Sequence, residues 1–284
     1  MKEITKVFVF NSFPQTWKAA MLELIATGAL MFTLTSCTVA CLESQEVNPK
    51  LLIPFAVFII VFLFLIALVP LSGGHMNPIF TFIAALKGVV TLSRALLYVV
   101  AQCIGSIIGF LVLKNVMEPK LAHTYSLGGC TIGDKVQGSA IKPHDALLLE
   151  FSCTLLVLFV GITVAFDKKR CKDLGFPMVC FVVAASVGLA VFLSITVTGR
   201  PGYAGVGLNP ARCLGPALLH GGPLWNGHWI FWVGPFLACI IYYSVSISLP
   251  KKGLEWVEGE YDILNLFMGF SGTIPNNDVL NDLP

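Results

Sequence analysis

The stretch Gly205–Leu219 reads G-V-G-L-N-P-A-R-C-L-G-P-A-L-L and is apolar except for Asn209 and the arginine at its centre. Asn209 and Pro210 predict the start of a helix there, because asparagine is favoured as an N-cap and proline at the first helical position. The run ends about ten residues later at Gly221, whereas a membrane-spanning helix needs about 20 residues. In a membrane protein, a helix this short is expected to be buried or re-entrant.

A second stretch repeats this pattern in the first half of the chain. Residues 72–86 read S-G-G-H-M-N-P-I-F-T-F-I-A-A-L, in which Asn77 and Pro78 precede a short apolar run. We therefore predict two half-helices, at about 77–87 and 209–219. If their N-termini meet, two asparagine amides and two positive helix-dipole ends face one point.

The composition indicates an integral membrane protein. Of the 284 residues, 56% are hydrophobic and 12% are charged, against about 25% charged residues in a soluble domain. The net charge of +2, without a long basic run, gives no support to nucleic-acid binding. The nine cysteines lie mostly in apolar runs and form no C-x-x-C pair. They are therefore expected to be small buried side chains, with no metal site and no cofactor.

Six apolar runs are long enough to span a bilayer. They cover residues 18–41, 51–70, 92–114, 146–166, 177–198 and 228–249. We predict an all-α membrane protein with one membrane domain between two polar ends. The boundaries are 1–17 for a cytoplasmic N-terminal segment, 18–250 for the membrane domain and 251–284 for a cytoplasmic C-terminal tail.

The distribution of basic residues predicts the orientation in the membrane. With the N-terminus in the cytoplasm, eleven Lys and Arg residues fall on the cytoplasmic side and six on the opposite side. Short cytoplasmic connections are enriched in Lys and Arg, so both termini are expected to be cytoplasmic. The segment 167–172, D-K-K-R-C-K, contributes four of the eleven.

Each half of the chain also carries one carboxylate inside a span. Glu23 lies 54 residues before Asn77, and Glu150 lies 59 residues before Asn209. The matching order indicates two repeats. The repeats cover about 18–114 and about 146–249. Three spans per repeat is an odd number, so the second repeat must enter the membrane inverted, with the broken helices meeting near the midplane.

The predicted meeting point of the half-helices is a candidate pore. Each N-terminus carries roughly half a positive charge, which repels a cation but can orient a neutral dipolar molecule. Asn77 and Asn209 can cap their helices and still offer amide donors to a passing oxygen. One Asn-Pro pair could simply cap a buried helix, but two pairs at matched positions favour the pore.

Arg212 is the charged residue of the second half-helix. An arginine in an apolar stretch is costly and usually lines a cavity. At a constriction its five donors would bind a polar oxygen, and its charge would reject cations and protons. The structural alternative is that it holds backbone carbonyls of its own loop, and we expect both roles.

Glu23 and Glu150 have two interpretations. They could relay protons, or they could accept hydrogen bonds from loop N–H groups that lack helical partners. No second carboxylate or histidine lies beside either residue within the spans, which favours the structural role. His75 either lines the vestibule before the first Asn-Pro pair or packs beside it. Gly105 and Gly109 form a G-x-x-x-G packing face.

At these residues the chain resembles the major intrinsic protein (aquaporin) family. The resemblance covers about residues 18–250 and is carried by S-G-G-H-M-N-P, G-L-N-P-A-R, the two carboxylates and H-W-I-F-W-V-G-P at 228–235. It implies a six-helix right-handed bundle with two re-entrant half-helices, a pore in each subunit and a homotetramer. The pore motifs that it implies are Asn77, Pro78 and Ile79 in one half and Asn209, Pro210 and Ala211 in the other.

Some departures from the family's usual motifs resemble the plant X intrinsic proteins. Ile79 follows the first Asn-Pro pair, Cys213 follows the arginine, and a long third loop carries L-G-G-C-T-I-G-D-K-V around Cys130. This resemblance implies passage of glycerol, urea, hydrogen peroxide and boric acid, often with weak water flux. Cys213 is expected beside the pore and open to an external mercurial, with Cys130 as the competing target.

The family's selectivity filter can be mapped onto this chain by spacing. The resemblance implies Val57, Val206 and Arg212 as members, with Thr196 or Val197 as the fifth-span member. This set lacks the bulky aromatic residue and the histidine of water-selective relatives. The ring is therefore expected to be wider and more apolar.

We thus predict a passive channel for small uncharged solutes, and to some extent water, that excludes protons and ions. The expected location is the plasma membrane, with the solutes and the lipid bilayer as partners. The alternative is a proton-coupled secondary transporter that uses Glu23 and Glu150. No nucleophile–base pair, metal cluster or nucleotide loop in the sequence supports an enzyme.

Overall fold

The computed structural model describes residues 13–44, 46, 48–133, 141–197 and 205–248. The regular elements within these ranges are all helices. In chain order the α-helices are α1 (Phe13–Glu43), α2 (Pro49–Ser72), α3 (Pro78–Leu86), α4 (Leu92–Val116), α5 (Pro119–Thr124), α6 (Pro143–Val157), α7 (Lys168–Leu174), α8 (Phe176–Val197), α9 (Pro210–His220) and α10 (Ile230–Ser248). Short 3₁₀ helices lie at Ser126–Gly128 and Gly222–Trp225. Helix α6 continues through a π-helical turn at Leu158–Ile162 and a last turn at Thr163–Ala165.

Six helical segments in the described ranges are long and apolar enough to cross a membrane. They lie in α1, α2, α4, α6, α8 and α10, and each overlaps one of the six predicted apolar runs. Their outward faces carry exposed apolar side chains, such as Ile25 (61% exposed) and Leu63 (58% exposed). Such exposure suits helices whose outer surface meets lipid rather than water.

The two short helices α3 and α9 are the predicted half-helices. They contain 9 and 11 residues and begin at Pro78 and Pro210. The side chain of Asn77 accepts a hydrogen bond from the N–H of Ile79, and the side chain of Asn209 caps α9 in the same way. These caps satisfy backbone donors that have no intrahelical partner. The helix N-termini are thus stabilised within the bundle.

Helices α1 and α4 pack closely along a face of small residues. A methyl group at Gly105 would overlap the carbonyl oxygen of Leu24, and one at Gly109 would overlap that of Gly28. Small residues at these positions let the two backbones approach, which is how membrane helices gain contact without a hydrophobic driving force. The G-x-x-x-G face predicted from the sequence is therefore in use.

Candidate functional site

The N-termini of α3 and α9 meet inside the bundle through reciprocal hydrogen bonds. Nδ2 of Asn77 donates to the carbonyl of Leu208 at 3.0 Å, and Nδ2 of Asn209 donates to the carbonyl of Met76 at 2.9 Å. Met76 and Leu208 have left-handed backbones, with φ of 47° and 56°. Each asparagine is thus fixed to the loop of the opposite repeat.

Each asparagine amide has one N–H left after these contacts. The oxygen of Asn77 accepts from the N–H of Ile79, and the oxygen of Asn209 accepts from the N–H groups of Ala211 and Arg212. An amide group carries two N–H donors, and the bond to the opposite loop uses one of them. Both asparagines line one cavity, so the remaining donors can meet a molecule inside it.

That cavity has a volume of about 900 Å³ and contains most of the predicted pore residues. Those lining it are Val57, His75, Asn77, Ile79, Val206, Asn209 and Arg212. It is also lined by His123, Tyr125 and Pro223, from the segments that follow α4 and α9, and we name this part the wide vestibule. A second cavity of about 100 Å³ lies on the other side of a shared wall. Both cavities are lined by Leu65, Gly74, His75 and Phe80.

Other predicted residues are close to the cavity without lining it. Pro78 and Ala211 are buried in the first turns of the half-helices, and Pro210 begins α9. Thr196 and Val197 belong to the last turn of α8, but their side chains lie outside the described residues. The fifth-span member of the filter therefore stays a prediction.

Cys213 is bonded to Cys130 in a disulfide, which corrects the prediction of a free thiol beside the pore. The bond joins positions separated by 83 residues and ties the third loop to α9. Both cysteines are about 1% exposed. Since a mercurial needs a thiol, neither residue is its target while the bond is intact.

The disulfide loop also holds Arg212. Nη1 of Arg212 donates to the sulfur of Cys130 at 2.9 Å, and Nη2 donates to the carbonyl of Gly128 at 3.5 Å. The guanidinium thus contacts a loop carbonyl while it lines the cavity. Three donors of the five that arginine possesses remain for other partners.

Glu23 accepts four hydrogen bonds around the loop before α3. Oε1 accepts from the hydroxyl of Ser72 (2.7 Å) and the N–H of His75 (3.0 Å). Oε2 accepts from the N–H of Met76 (2.6 Å) and from Nε2 of Gln102 (2.9 Å). The carboxylate is fully buried. It satisfies loop donors that would otherwise be unpaired in an apolar environment.

Glu150 holds the equivalent loop of the second repeat with fewer contacts. Its two oxygens accept from the N–H groups of Gly207 (2.5 Å) and Leu208 (3.2 Å). Among the described residues, no side chain donates to it. Glu150 is also fully buried. The repeats therefore share the carboxylate but differ in what surrounds it.

His75 both lines a cavity and packs beside the first Asn-Pro pair, the two placements that the sequence allowed. Its Nδ1 lies 3.0 Å from the hydroxyl of Thr81, and its ring packs edge-on against Tyr98. It also lines both cavities. The ring is consequently part of the wall between them.

Several partners of the site residues were not predicted from the sequence. Gln102 is a polar residue inside an apolar span, and this alone could have marked it as a partner of a buried carboxylate. The pairing of Cys130 with Cys213 could not be predicted from a local pattern, because the two residues are separated by 83 positions. The carbonyls of Met76 and Leu208 had no such signal, since every residue has a carbonyl.

Comparisons with known proteins agree with this geometry. Residues 10–243 match the sequence profile of the family described as Major intrinsic protein. Aquaporin PIP2-7 of Musa acuminata is 32% identical over 235 residues, which are 79% of this chain and 78% of that protein. Aquaporin TIP1-2 of Zea mays is 30% identical over 260 residues, or 88% of this chain and 94% of that protein.

A solved structure has the same fold. The aquaglyceroporin from Plasmodium falciparum superposes with a TM-score of 0.64 at 20% identity, covering 81% of this chain and 94% of that one. The chain is a multi-pass integral membrane protein, with six apolar helices and two half-helices in its described part. By its sequence and by its fold, it belongs to the major intrinsic protein family of channels.

Proposed function

We propose that the chain is a passive channel for small uncharged solutes that excludes ions and protons. The observation that carries this proposal is the convergence of Asn77, Asn209 and Arg212 on one cavity of about 900 Å³. These groups are hydrogen-bond donors in a wall that is otherwise largely apolar. A neutral solute with an oxygen atom can replace its hydrogen bonds to water by hydrogen bonds to each of these donors in turn.

The solutes that fit this wall have both a polar and an apolar side. Val57 and Val206 line the cavity together with Arg212. Water that passes valines gives up hydrogen bonds without replacement, at about 1–3 kcal/mol for each unmade bond. Glycerol, urea, hydrogen peroxide and boric acid can direct an oxygen at Arg212, and carbon-bearing solutes also contact the valines. We expect water to pass slowly relative to these solutes.

Two positive features oppose cations and protons on this path. The N-termini of α3 and α9 both point at the meeting of Asn77 and Asn209, and each carries roughly half a positive charge. Arg212 adds a full charge next to Gly128, in the loop that also carries Tyr125 of the wide vestibule. A hydrated cation would lose its water shell against a field of the same sign.

The proposed orientation puts the wide vestibule outside the cytoplasm, with both termini inside. It is supported by the excess of Lys and Arg on the opposite side. The Cys130–Cys213 disulfide borders the cavity at Arg212, and such bonds persist in oxidising surroundings. The plasma membrane is the proposed location, and a homotetramer is the proposed assembly, as the resemblance implied.

The alternative, proton-coupled transport through Glu23 and Glu150, has less support. Both carboxylates are fully buried and bonded to loop N–H groups, and neither lines the cavities described above. A proton relay needs a group that can meet its donor and its acceptor in turn. A fixed acceptor inside a loop does not meet this need.

The test is stopped-flow permeability of proteoliposomes that contain the full chain. Water, glycerol, urea and boric acid are compared at matched protein density, with and without a protonophore. We expect uptake that does not saturate and does not respond to the protonophore. Saturable uptake that collapses with the protonophore would support the transporter instead.

A further inference from the structure

Two histidines meet at the rim of the wide vestibule. His123 lies in α5 and lines the vestibule, and His220 is the last residue of α9. Their ring centroids are 6.0 Å apart, and the ring planes are inclined at 60°. His123 is exposed and His220 is half-buried. The pair joins the loop after α4 to the end of the second half-helix, beside the path of the proposed solutes.

This spacing suits two imidazoles on one metal ion. Metal–nitrogen bonds to histidine are about 2.0–2.1 Å long, so each ring centroid lies roughly 3 Å from the ion. Two rings on one ion then have centroids about 4.5–5.5 Å apart at ligand angles of about 90–120°. The observed separation of 6.0 Å is slightly larger than this range. Rotation about the side-chain bonds of His123, which is exposed, can close the remaining gap.

The chemistry of the pair selects a class of metal. Imidazole is a ligand for nickel, copper and zinc, whereas magnesium and calcium prefer oxygen ligands. In the described part of the chain, no group of three or more His, Cys, Asp or Glu residues could hold a metal. Water would therefore complete the coordination shell of an ion held by the two histidines.

The pair has a cationic neighbour, Lys114. Nζ of Lys114 is fixed near the pair by its hydrogen bond to the carbonyl of Leu219, at 2.7 Å. Its charge repels a cation, so it limits the affinity.

We propose that His123 and His220 bind a divalent transition-metal ion, Ni²⁺, Cu²⁺ or Zn²⁺, and that the bound ion slows solute flux through the wide vestibule. The slowing of flux rests on the proposed function, whereas the binding does not. The alternative is that the two rings only pack against each other and join α5 to α9.

The test measures binding and flux separately on the full chain, with any purification tag removed. Ni²⁺ is the probe, because imidazole binds it well and it does not oxidise the free thiols. Binding to the detergent-solubilised protein is followed by titration calorimetry, and solute flux is followed in proteoliposomes loaded with Ni²⁺ on both sides. Mg²⁺ replaces Ni²⁺ in the control, which should show neither effect.

The variants are His123→Ala and His220→Ala, with His144→Ala as the matched control. His144 is an exposed histidine at the start of α6, paired with Asp145. Each variant of the pair should raise the half-inhibitory Ni²⁺ concentration by at least about tenfold, the loss expected when even a hydrogen-bond partner of a metal ligand is removed. His144→Ala should leave it unchanged.

A further variant makes the site stronger. Lys114→Gln keeps a donor for the carbonyl of Leu219 but removes the positive charge, so it should lower the half-inhibitory concentration by up to about fivefold. The proposal is overturned if parent and His123→Ala bind Ni²⁺ equally, or if the parent binds none. If the parent binds Ni²⁺ through the pair but conducts no solute without metal, the proposed function fails and the site stands.

Discussion

Nη1 of Arg212 lies 2.9 Å from the sulfur of Cys130, so the charged residue of the cavity is held by the loop that the disulfide ties down. Cys130 is bonded to Cys213, the residue next to Arg212 in the chain. The arginine is thus fixed from both sides, through its own backbone and through its guanidinium. Its position in the cavity depends on a covalent bond between two distant segments.

The first prediction concerns these cysteines. A mercurial is expected to leave Cys213 unmodified until a reducing agent is added, because only a thiol reacts with it. The folded protein is treated with the mercurial with or without prior reduction, and the thiols that remain are then alkylated. Mass spectrometry of the Cys213 peptides compares the two samples. A denatured, reduced sample is the control for detection. Modification of Cys213 in the unreduced, folded protein would contradict the disulfide.

The second prediction concerns the charge of Arg212. Arg212→Val should raise proton or cation permeability by about tenfold or more, since removal of a barrier of about 1.4 kcal/mol has that effect. Solute flux should persist. Arg170→Val is the control. Arg170 lies in α7, pairs with Asp167 three residues earlier and lines neither described cavity. An unchanged ion conductance in Arg212→Val would remove its role in ion exclusion.

The third prediction compares the two buried carboxylates. Replacing Glu23 by Gln turns one acceptor oxygen into a donor that faces other donors, and each unpaired group costs about 1–3 kcal/mol. Glu23→Gln should lower the thermal unfolding midpoint more than Glu150→Gln, because Glu23 accepts four hydrogen bonds and Glu150 accepts two. Scanning fluorimetry in detergent gives the midpoints.

Glu118→Gln is the matched control for this comparison. Glu118 is exposed and its side chain makes no capping hydrogen bond at the start of α5. Its replacement should leave the midpoint unchanged. If Glu23→Gln were as stable as the parent but lost transport that depends on a proton gradient, the relay interpretation would return.

The fourth prediction concerns the width of the cavity at Val57. Val57→Phe should narrow it and exclude larger solutes, so the ratio of water to glycerol permeability should rise by about tenfold for each 1.4 kcal/mol of added barrier to glycerol. Leu63→Phe makes a similar change on the exposed face of the same helix and should leave the ratio unchanged. Stopped-flow measurements at matched protein density compare the two. Equal ratios would mean that Val57 does not border the narrow part.

The architecture was predictable because it depends on local signals. The length of the apolar runs identified the six spans, and Asn-Pro pairs at residues 77 and 209 identified the start of each half-helix within one residue. Burial of a carboxylate in lipid is costly, so the sequence favoured loop contacts over proton relay for Glu23 and Glu150. Each of these inferences needs only a short stretch of sequence.

The details of the site depend on contacts between distant segments. Cysteines that lie mostly in apolar runs predicted free thiols, and nothing local indicated that two of them, 83 residues apart, would be bonded. The bonds from Asn77 to Leu208 and from Asn209 to Met76 use backbone carbonyls turned by left-handed residues. Such conformations are uncommon for leucine and methionine, so sequence patterns do not signal them.

The difference between the two carboxylates has a consequence for how the protein matures. The loop at Glu23 is held by side chains that are present as soon as the helices associate, Ser72 and Gln102. The loop at Glu150 is followed by Cys213, whose bond to Cys130 forms only where thiols are oxidised. In the proposed orientation, a newly inserted chain would have its first loop complete while the Cys130–Cys213 bond still had to form. On that proposal, an oxidising compartment completes the support of Arg212 only after the helices have been inserted.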